Sequence, residues 1–244
     1  MSYQQFAPHV ELAPYIDAYW QMTGDGTISA VNRILPDGCV DIIVNLGDDF
    51  LTDTGDFTMK NEKAYLVGTM TRYKDTIVKA ETHLIGIRFK PAAFTHFYHY
   101  ASQNEFANRT IEFEKGLTPP INTSIHDLTG SLDRFFGNRL LPVRESLFPI
   151  ITAIYHSRGQ ISVTALAQSQ YSSVRKLERS FKQHIGVSPK EFINFVRYQF
   201  ALQHIRKDYA TRSLMDIALD SGYYDHAHLA NEIKKHSGSV PSEL

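Results

Sequence analysis

ISVTALAQSQYSSVRKLERSFKQ, residues 161–183, decides how this chain is read. Ser162 stands before Val163, Leu166 and Ala167, which recur at helical spacing, and a hydroxyl in that place accepts from the unbonded amides of a helix's first turn. A polar break follows, Gln168 to Ser172. Ser173 then opens a second helix with Val174, Leu177 and Phe181 on one face and Arg175, Glu178, Arg179 and Lys182 on the other. A short positioning helix, a turn and a longer helix with a basic outer face make a helix-turn-helix, whose second helix suits the major groove of duplex DNA.

The pattern returns about fifty residues later. Ser213 caps SLMDIALD, Gly222 supplies the turn, and Asp225 caps a helix carrying His226, His228, Leu229, Asn231, Ile233, Lys234 and Lys235. By role, Leu166-Ala167 corresponds to Ile217-Ala218, Leu177 to Leu229 and Phe181 to Ile233. Between the units, PKEFINFVRYQFALQHIRK (189–207) has no internal Gly or Pro, and Phe192, Val196, Phe200, Ala201, Leu202 and Ile205 give it an apolar stripe able to pack against both.

These residues resemble the AraC/XylS-type transcription regulators. The resemblance is carried by Leu166-Ala167, Ser173-x3-Leu177-x-Arg179-x-Phe181-Lys182, Gly186-x-Ser188-Pro189, Arg197-x3-Ala201-x3-Ile205, Asp216-Ile217-Ala218-x3-Gly222-Tyr223 and Gly238-x-Val240-Pro241-Ser242. In that family a linking helix presents two recognition helices to successive major-groove segments, ~34 Å apart on B-DNA. The resemblance implies sequence-specific binding of double-stranded DNA, activation through RNA polymerase and response to a small-molecule effector. A homodimer is a further expectation, although one chain already carries two units.

Each candidate contact has a chemical role. Arg175 and Arg179 can take guanine O6 and N7 together, and Glu178 can accept from cytosine N4 or orient an arginine. Lys182 and the Ser173 hydroxyl suit phosphate. On the second helix, His226 and Asn231 can reach base edges and Lys234 and Lys235 phosphate. There the chain departs from the family, with Asn231 and Glu232 where an arginine is usual nearby and Ile233 in place of Phe, so this helix is expected to clamp the backbone more than read bases.

Charge agrees with that division. Residues 150–244 hold 12 Lys and Arg against 8 Asp and Glu, whereas residues 1–149 hold 13 against 18. An acidic body joined to a mildly basic end fits a sensor attached to a DNA reader. Cys39 is the single cysteine, which excludes an intrachain disulfide and a cysteine-rich zinc site. No signal peptide and no membrane span is legible, so the expected location is cytoplasmic.

The expected architecture is α+β with two domains: a β-rich, sensor-like domain over 1–137, for ligand sensing or dimerisation, and a tandem helix-turn-helix DNA-binding domain over 143–244. Short β-like runs occupy 28–35, 39–46, 50–59, 64–70, 75–79 and 83–90, separated by turns such as Pro36-Asp37-Gly38. Residues 91–99 are expected to form a helix opened by Pro91, 109–120 a loop, 124–136 an amphipathic helix and 143–157 the first helix of the second domain.

RILPDGCVDIIVNLG (33–47) is the distinctive stretch of the first domain. Alternation puts Val40, Ile42 and Val44 on one face, and Cys39, Asp41, Ile43 and Asn45 on the other. With GIRFKP at 86–91, it resembles the LPDGCxDIIxN and GxRFxP stretches of an N-terminal domain that recurs in AraC-type regulators. Arg33, Asp41, Asn45 and Arg88 are the candidate ligand contacts; a hairpin turn with strand-to-strand hydrogen bonds is the competing use. His96 and His99 lie at i and i+3 with His83 upstream, without a legible third ligand or second shell, so no metal or other cofactor is expected. An alkyl-acceptor enzyme would need reactive and zinc-binding cysteines, and no catalytic residue is assigned. A protein-interaction module with a weakened DNA-binding domain is the remaining alternative.

Overall fold

The computed structural model describes residues 1–25, 30–99, 102–121, 125–141, 146–169, 172–208 and 211–244. Strands β1 (Ser2–Phe6), β2 (Ile16–Thr23), β4 (Val40–Asn45), β7 (Ala64–Val67), β9 (His83–Phe89) and β10 (Thr110–Glu112) form one sheet in the order β1-β2-β9-β4-β7-β10. Strands β3 (Ala30–Ile34), β5 (Phe50–Thr52), β6 (Phe57–Met59) and β8 (Lys74–Val78) form a second in the order β3-β8-β5-β6. All their pairings are antiparallel.

Period-two alternation explains how the larger sheet is covered. Tyr19, Val40, Ile42, Val44, Ile87 and Phe89 enter an aromatic core with Phe94, Phe97 and Phe136, closed by helix α1 (Ile125–Gly137). Trp20, Met22, Ile43, Val67 and Leu84 point the other way, toward Phe50 and Met59 of the smaller sheet. Strand β4 is buried on both faces, so VDIIVN has no solvated side. Gly86 in β9 is required by close approach, because a Cβ there would lie 1.9 Å from the Trp20 indole.

Three expectations are corrected. Residues 91–99 do not make an α-helix: Ala92 takes φ of 65°, outside the right-handed region, and only the 3-10 turn Phe94–His96 follows. The expected loop at 109–120 contains β10, which pairs with β7, and a 3-10 turn at Lys115–Leu117. The helix expected at 143–157 runs over Phe148–His156 as α2; residues 142–145 lie outside the described ones.

The C-terminal domain continues with α3 (Val163–Ser169), α4 (Val174–His184), α5 (Pro189–Asp208), α6 (Leu214–Asp220) and α7 (His226–Ser237). The four caps read from the sequence are made: Ser162 Oγ accepts from Ala165 N at 3.0 Å, Ser173 Oγ from Lys176 N at 3.2 Å, Ser213 Oγ from Asp216 N at 3.1 Å and Asp225 Oδ1 from His228 N at 2.7 Å. Helix α5 is buried on more than the expected stripe, because Phe195 and Tyr198 are covered along with Phe192, Val196, Ala201 and Ile205.

The additional cover comes from the first domain and the end of α7. The aromatic ring of Phe195 lies against Gly38, where φ is 75° and a Cβ would come within 2.6 Å of the ring. Tyr198 packs on the His236 ring with centroids 4.6 Å apart. The two domains are thereby fastened through the linking helix as well as through the chain.

Candidate nucleic-acid interface and the cavity of the first domain

On α4, Leu177 and Phe181 are buried while Arg175, Glu178, Arg179 and Lys182 are exposed. Among the described residues none of those four forms an ion pair, so their charge faces solvent. Ser173 is exposed at the helix start and its oxygen is used as the cap, which leaves its proton to donate outward.

On α7, Leu229 and Ile233 are buried and His226, Asn231 and Lys234 are exposed. Glu232 is turned along the helix, accepting from Lys235 Nζ at 2.9 Å and lying 3.4 Å from His236 Nε2. Despite partial burial, those contacts hold its carboxyl below the usual glutamate range. The acid that departs from the family pattern is therefore neutralised locally by its own helix. Arg197 of α5 reaches toward both units: its Nε donates to the Gly159 carbonyl at 2.9 Å and its guanidinium lies 5.8 Å from the Tyr223 ring.

Between the two sheets of the first domain lies a cavity of about 280 Å³. Trp20, Met22, Ile43, Phe50, Met59 and Met70 supply apolar wall, and Arg33, Asp37, Asp41, Lys74, Thr76 and Arg88 supply polar wall. The charged groups are arranged in ion pairs. Arg33 holds Asp75 with two bonds of 2.8 and 3.0 Å, and Lys74 pairs with Asp53 and donates to Thr110 Oγ1 at 3.3 Å. Arg88 Nε lies 3.1 Å from Asp37 and 3.4 Å from Asp41. Trp20 Nε1 donates to Asp41 at 2.7 Å. Burial drives the Asp41 carboxyl up to about 6 against the pull of Arg88, and burial lowers the Lys74 ammonium.

Of the four candidate ligand residues, Arg33, Asp41 and Arg88 come together on this cavity. Asn45 does not. Its amide donates to the carbonyls of Asp48 (2.8 Å) and Met59 (2.9 Å) and its oxygen accepts from Gly47 N (3.0 Å), which fixes the turn after β4. Asp37, taken in the sequence as a turn residue, lines the cavity and also accepts from Cys39 N at 2.9 Å. His96 stacks on Phe148 at 5.0 Å, and among the described residues no group of three or more His, Cys, Asp or Glu side chains is placed to hold a metal ion.

A set of contacts between the domains has no local signature in the sequence. His236 Nδ1 bonds to the Thr71 carbonyl, Tyr73 N donates to the His236 carbonyl at 2.8 Å, and Arg33 Nη1 donates to Ser239 Oγ at 3.3 Å. Because a carbonyl only accepts, the His236 proton sits on Nδ1. Arg33 also lies 4.5 Å over the Tyr73 ring, so one side chain lines the cavity and touches the segment after α7.

Comparison with known proteins separates the two halves. Residues 166–244 match the family described as "Helix-turn-helix domain", and residues 4–112 match "Domain of unknown function (DUF6597)". An uncharacterized HTH-type transcriptional regulator of Haemophilus influenzae is 30% identical over 94 residues, and the HTH-type transcriptional activator RhaS of Escherichia fergusonii 29% over 89 residues. Those alignments take in 38% and 36% of this chain and 31% of each relative. A structure of ToxT from Vibrio cholerae superposes over 100% of this chain and 97% of its own with a TM-score of 0.50 at 12% identity, a likeness of fold alone. Among the described residues no helix is long and apolar enough to cross a membrane. Paired helix-turn-helix units on one linking helix, matched over residues 166–244, make the C-terminal domain one of the AraC type, joined to an N-terminal domain that matches DUF6597 over residues 4–112.

Proposed function

We propose that this chain is a transcription regulator of the cytoplasm that reads double-stranded DNA with α4, grips the backbone with α7 and responds to a small molecule held between the sheets of its first domain. The observation that carries the reading is the division of α4: a core face of Leu177 and Phe181, and an exposed face of Arg175, Glu178, Arg179 and Lys182 that forms no ion pair among the described residues. Arg175 and Arg179 read guanine, Glu178 accepts from cytosine or orients an arginine, and Ser173 and Lys182 hold phosphate. On α7, Lys234 meets phosphate while His226 and Asn231 lie against base edges.

The similarity to a relative named as an activator supports activation, with RNA polymerase as the protein partner. Arg33, Asp41 and Arg88 would contact the effector, which shifts the population of domain arrangements able to grip DNA. The internal pairing of Glu232 disfavours the reading of α7 as a decayed protein-binding face, because it removes the charge that would repel phosphate.

Selection of genomic fragments by the purified chain, at two salt concentrations and with Arg179→Ala in parallel, tests this. The expected result is an enriched motif that loses definition in the variant while residual binding still weakens with salt. Binding by the wild type that is equal for all fragments, or absent with and without cell metabolites, would remove the sequence-reading function.

A further inference from the structure

We infer that the cavity between the two sheets takes an organic cation, a protonated amine or quaternary ammonium on an apolar body. The inference rests on the sensor reading above and names the class of molecule sensed.

Charge decides the class. Three cationic side chains line the cavity beside Met1, whose ammonium pairs with Asp25, and none lacks a carboxylate: Arg33 is matched by Asp75, Lys74 by Asp53 and Arg88 by Asp37 and Asp41 together. The first two pairs are neutral. At the third, one guanidinium faces two carboxylates, so one negative charge is left over at one end of an apolar chamber. An anionic ligand would have to break an ion pair to meet a cation, and doing so strands a buried carboxylate. A cationic ligand completes the set.

The walls suit the same guest. The indole of Trp20 is fixed by its bond to Asp41, and the Tyr3 ring lies 5.8 Å from it, so two aromatic faces border the surplus charge. Met22, Met59 and Met70 offer polarizable, adaptable thioethers to the apolar body. At about 280 Å³ the chamber is near the lower end of small-molecule sites, ~300 Å³, which points to a compact guest.

Trp20 is the single tryptophan, so its emission reports occupancy of this cavity alone. The test is titration of the full chain at pH 7.5 with 4-phenylbutylamine, 4-phenylbutan-1-ol and 4-phenylbutanoate, followed by calorimetry and by Trp20 emission. The expected result is an amine bound about tenfold or more tighter than the alcohol, with the carboxylate weakest. Asp41→Asn should bring amine and alcohol close together; Asp37→Asn, at the more exposed carboxylate, gives the same reading should the first variant not fold. An alcohol or carboxylate that binds as well as the amine while moving Trp20 emission overturns the cation and leaves the sensor cavity standing. If none of the three moves Trp20 emission, the cavity is a filled core and both readings fall.

Discussion

Asp41 concentrates the chemistry of the first domain in one carboxyl group. It is buried, held by the Trp20 indole and shared on Arg88 with Asp37, and its value of about 6 stands above the ordinary 3.8 because burial opposes its charge more than Arg88 favours it. Around it, Arg88 comes from β9, and Asp37 and Cys39 from the preceding turn. A raised acid binds its proton more tightly in the folded state, so its stabilising contribution is full below the unfolded value and is lost as pH rises through about 6. Denaturant titrations of wild type and Asp41→Asn should therefore diverge between about pH 4 and 7, the wild type losing up to ~3 kcal/mol relative to the variant, as expected for ~2 pKa units at 1.36 kcal/mol each. Parallel pH profiles for the two proteins would show that Asp41 stays ionised in the fold.

At the scale of elements, α4 and α7 share a plan and differ in what fills it. Phe181 and Ile233 occupy the same role, both fully buried, yet Phe181 meets Phe192 of α5 ring to ring at 6.1 Å whereas Ile233 has no aromatic edge to offer. Phe181→Ala, in the class that costs ~3–5 kcal/mol, should destabilise more than Ile233→Ala, in the class that costs ~2–5, measured by denaturant unfolding. Equal losses would mean that the two units are packed alike despite their sequences. This plan was legible because it is local: the caps Ser162, Ser173, Ser213 and Asp225 each bond three residues ahead, and a period of 3.6 sorts Leu177 from Arg179 without knowledge of the rest of the chain. The same holds for the alternation of β4. The segment after Pro91 misleads for the converse reason. Its aromatic spacing allows a helix, but Phe94, Phe97 and Tyr98 are each drawn into a core assembled from β9 and α1, and Ala92 leaves the helical region to permit it. On the cavity, Arg33, Asp41 and Arg88 lie on β3, β4 and β9, and only the folded sheets reveal that Asn45, in phase with Asp41, is consumed by its own turn.

At the scale of the molecule, what the sequence conceals is the seam between the domains, because its contacts join segments 165 and 206 residues apart. The seam gives α5 a third neighbour, and it runs from the cavity wall at Arg33 through Tyr73 and Thr71 to His236 at the end of the second recognition helix. His236 is the part of it that a mutation can remove cleanly: its backbone carbonyl keeps the bond from Tyr73 N, while the ring supplies the hydrogen bond to Thr71 and the packing on Tyr198. His236→Ala should therefore loosen the seam without unfolding either domain. Hydrogen exchange should show faster exchange both at the C-terminal turn of α7 and across residues 70–76 of the first domain, with the amides of α4 unchanged. Acid should act in the same direction. Burial holds the His236 imidazole below its ordinary value against the opposing pull of Glu232 and Thr71, so its contribution is present above about 6.5 and is lost as pH falls, when the ring must take up a proton beside Lys235. Faster exchange confined to α7, with 70–76 still protected, would mean that the contacts left in the variant, among them Gly38 with Phe195 and Arg33 with Ser239, hold the domains without the His236 ring and that this ring carries no signal between cavity and DNA.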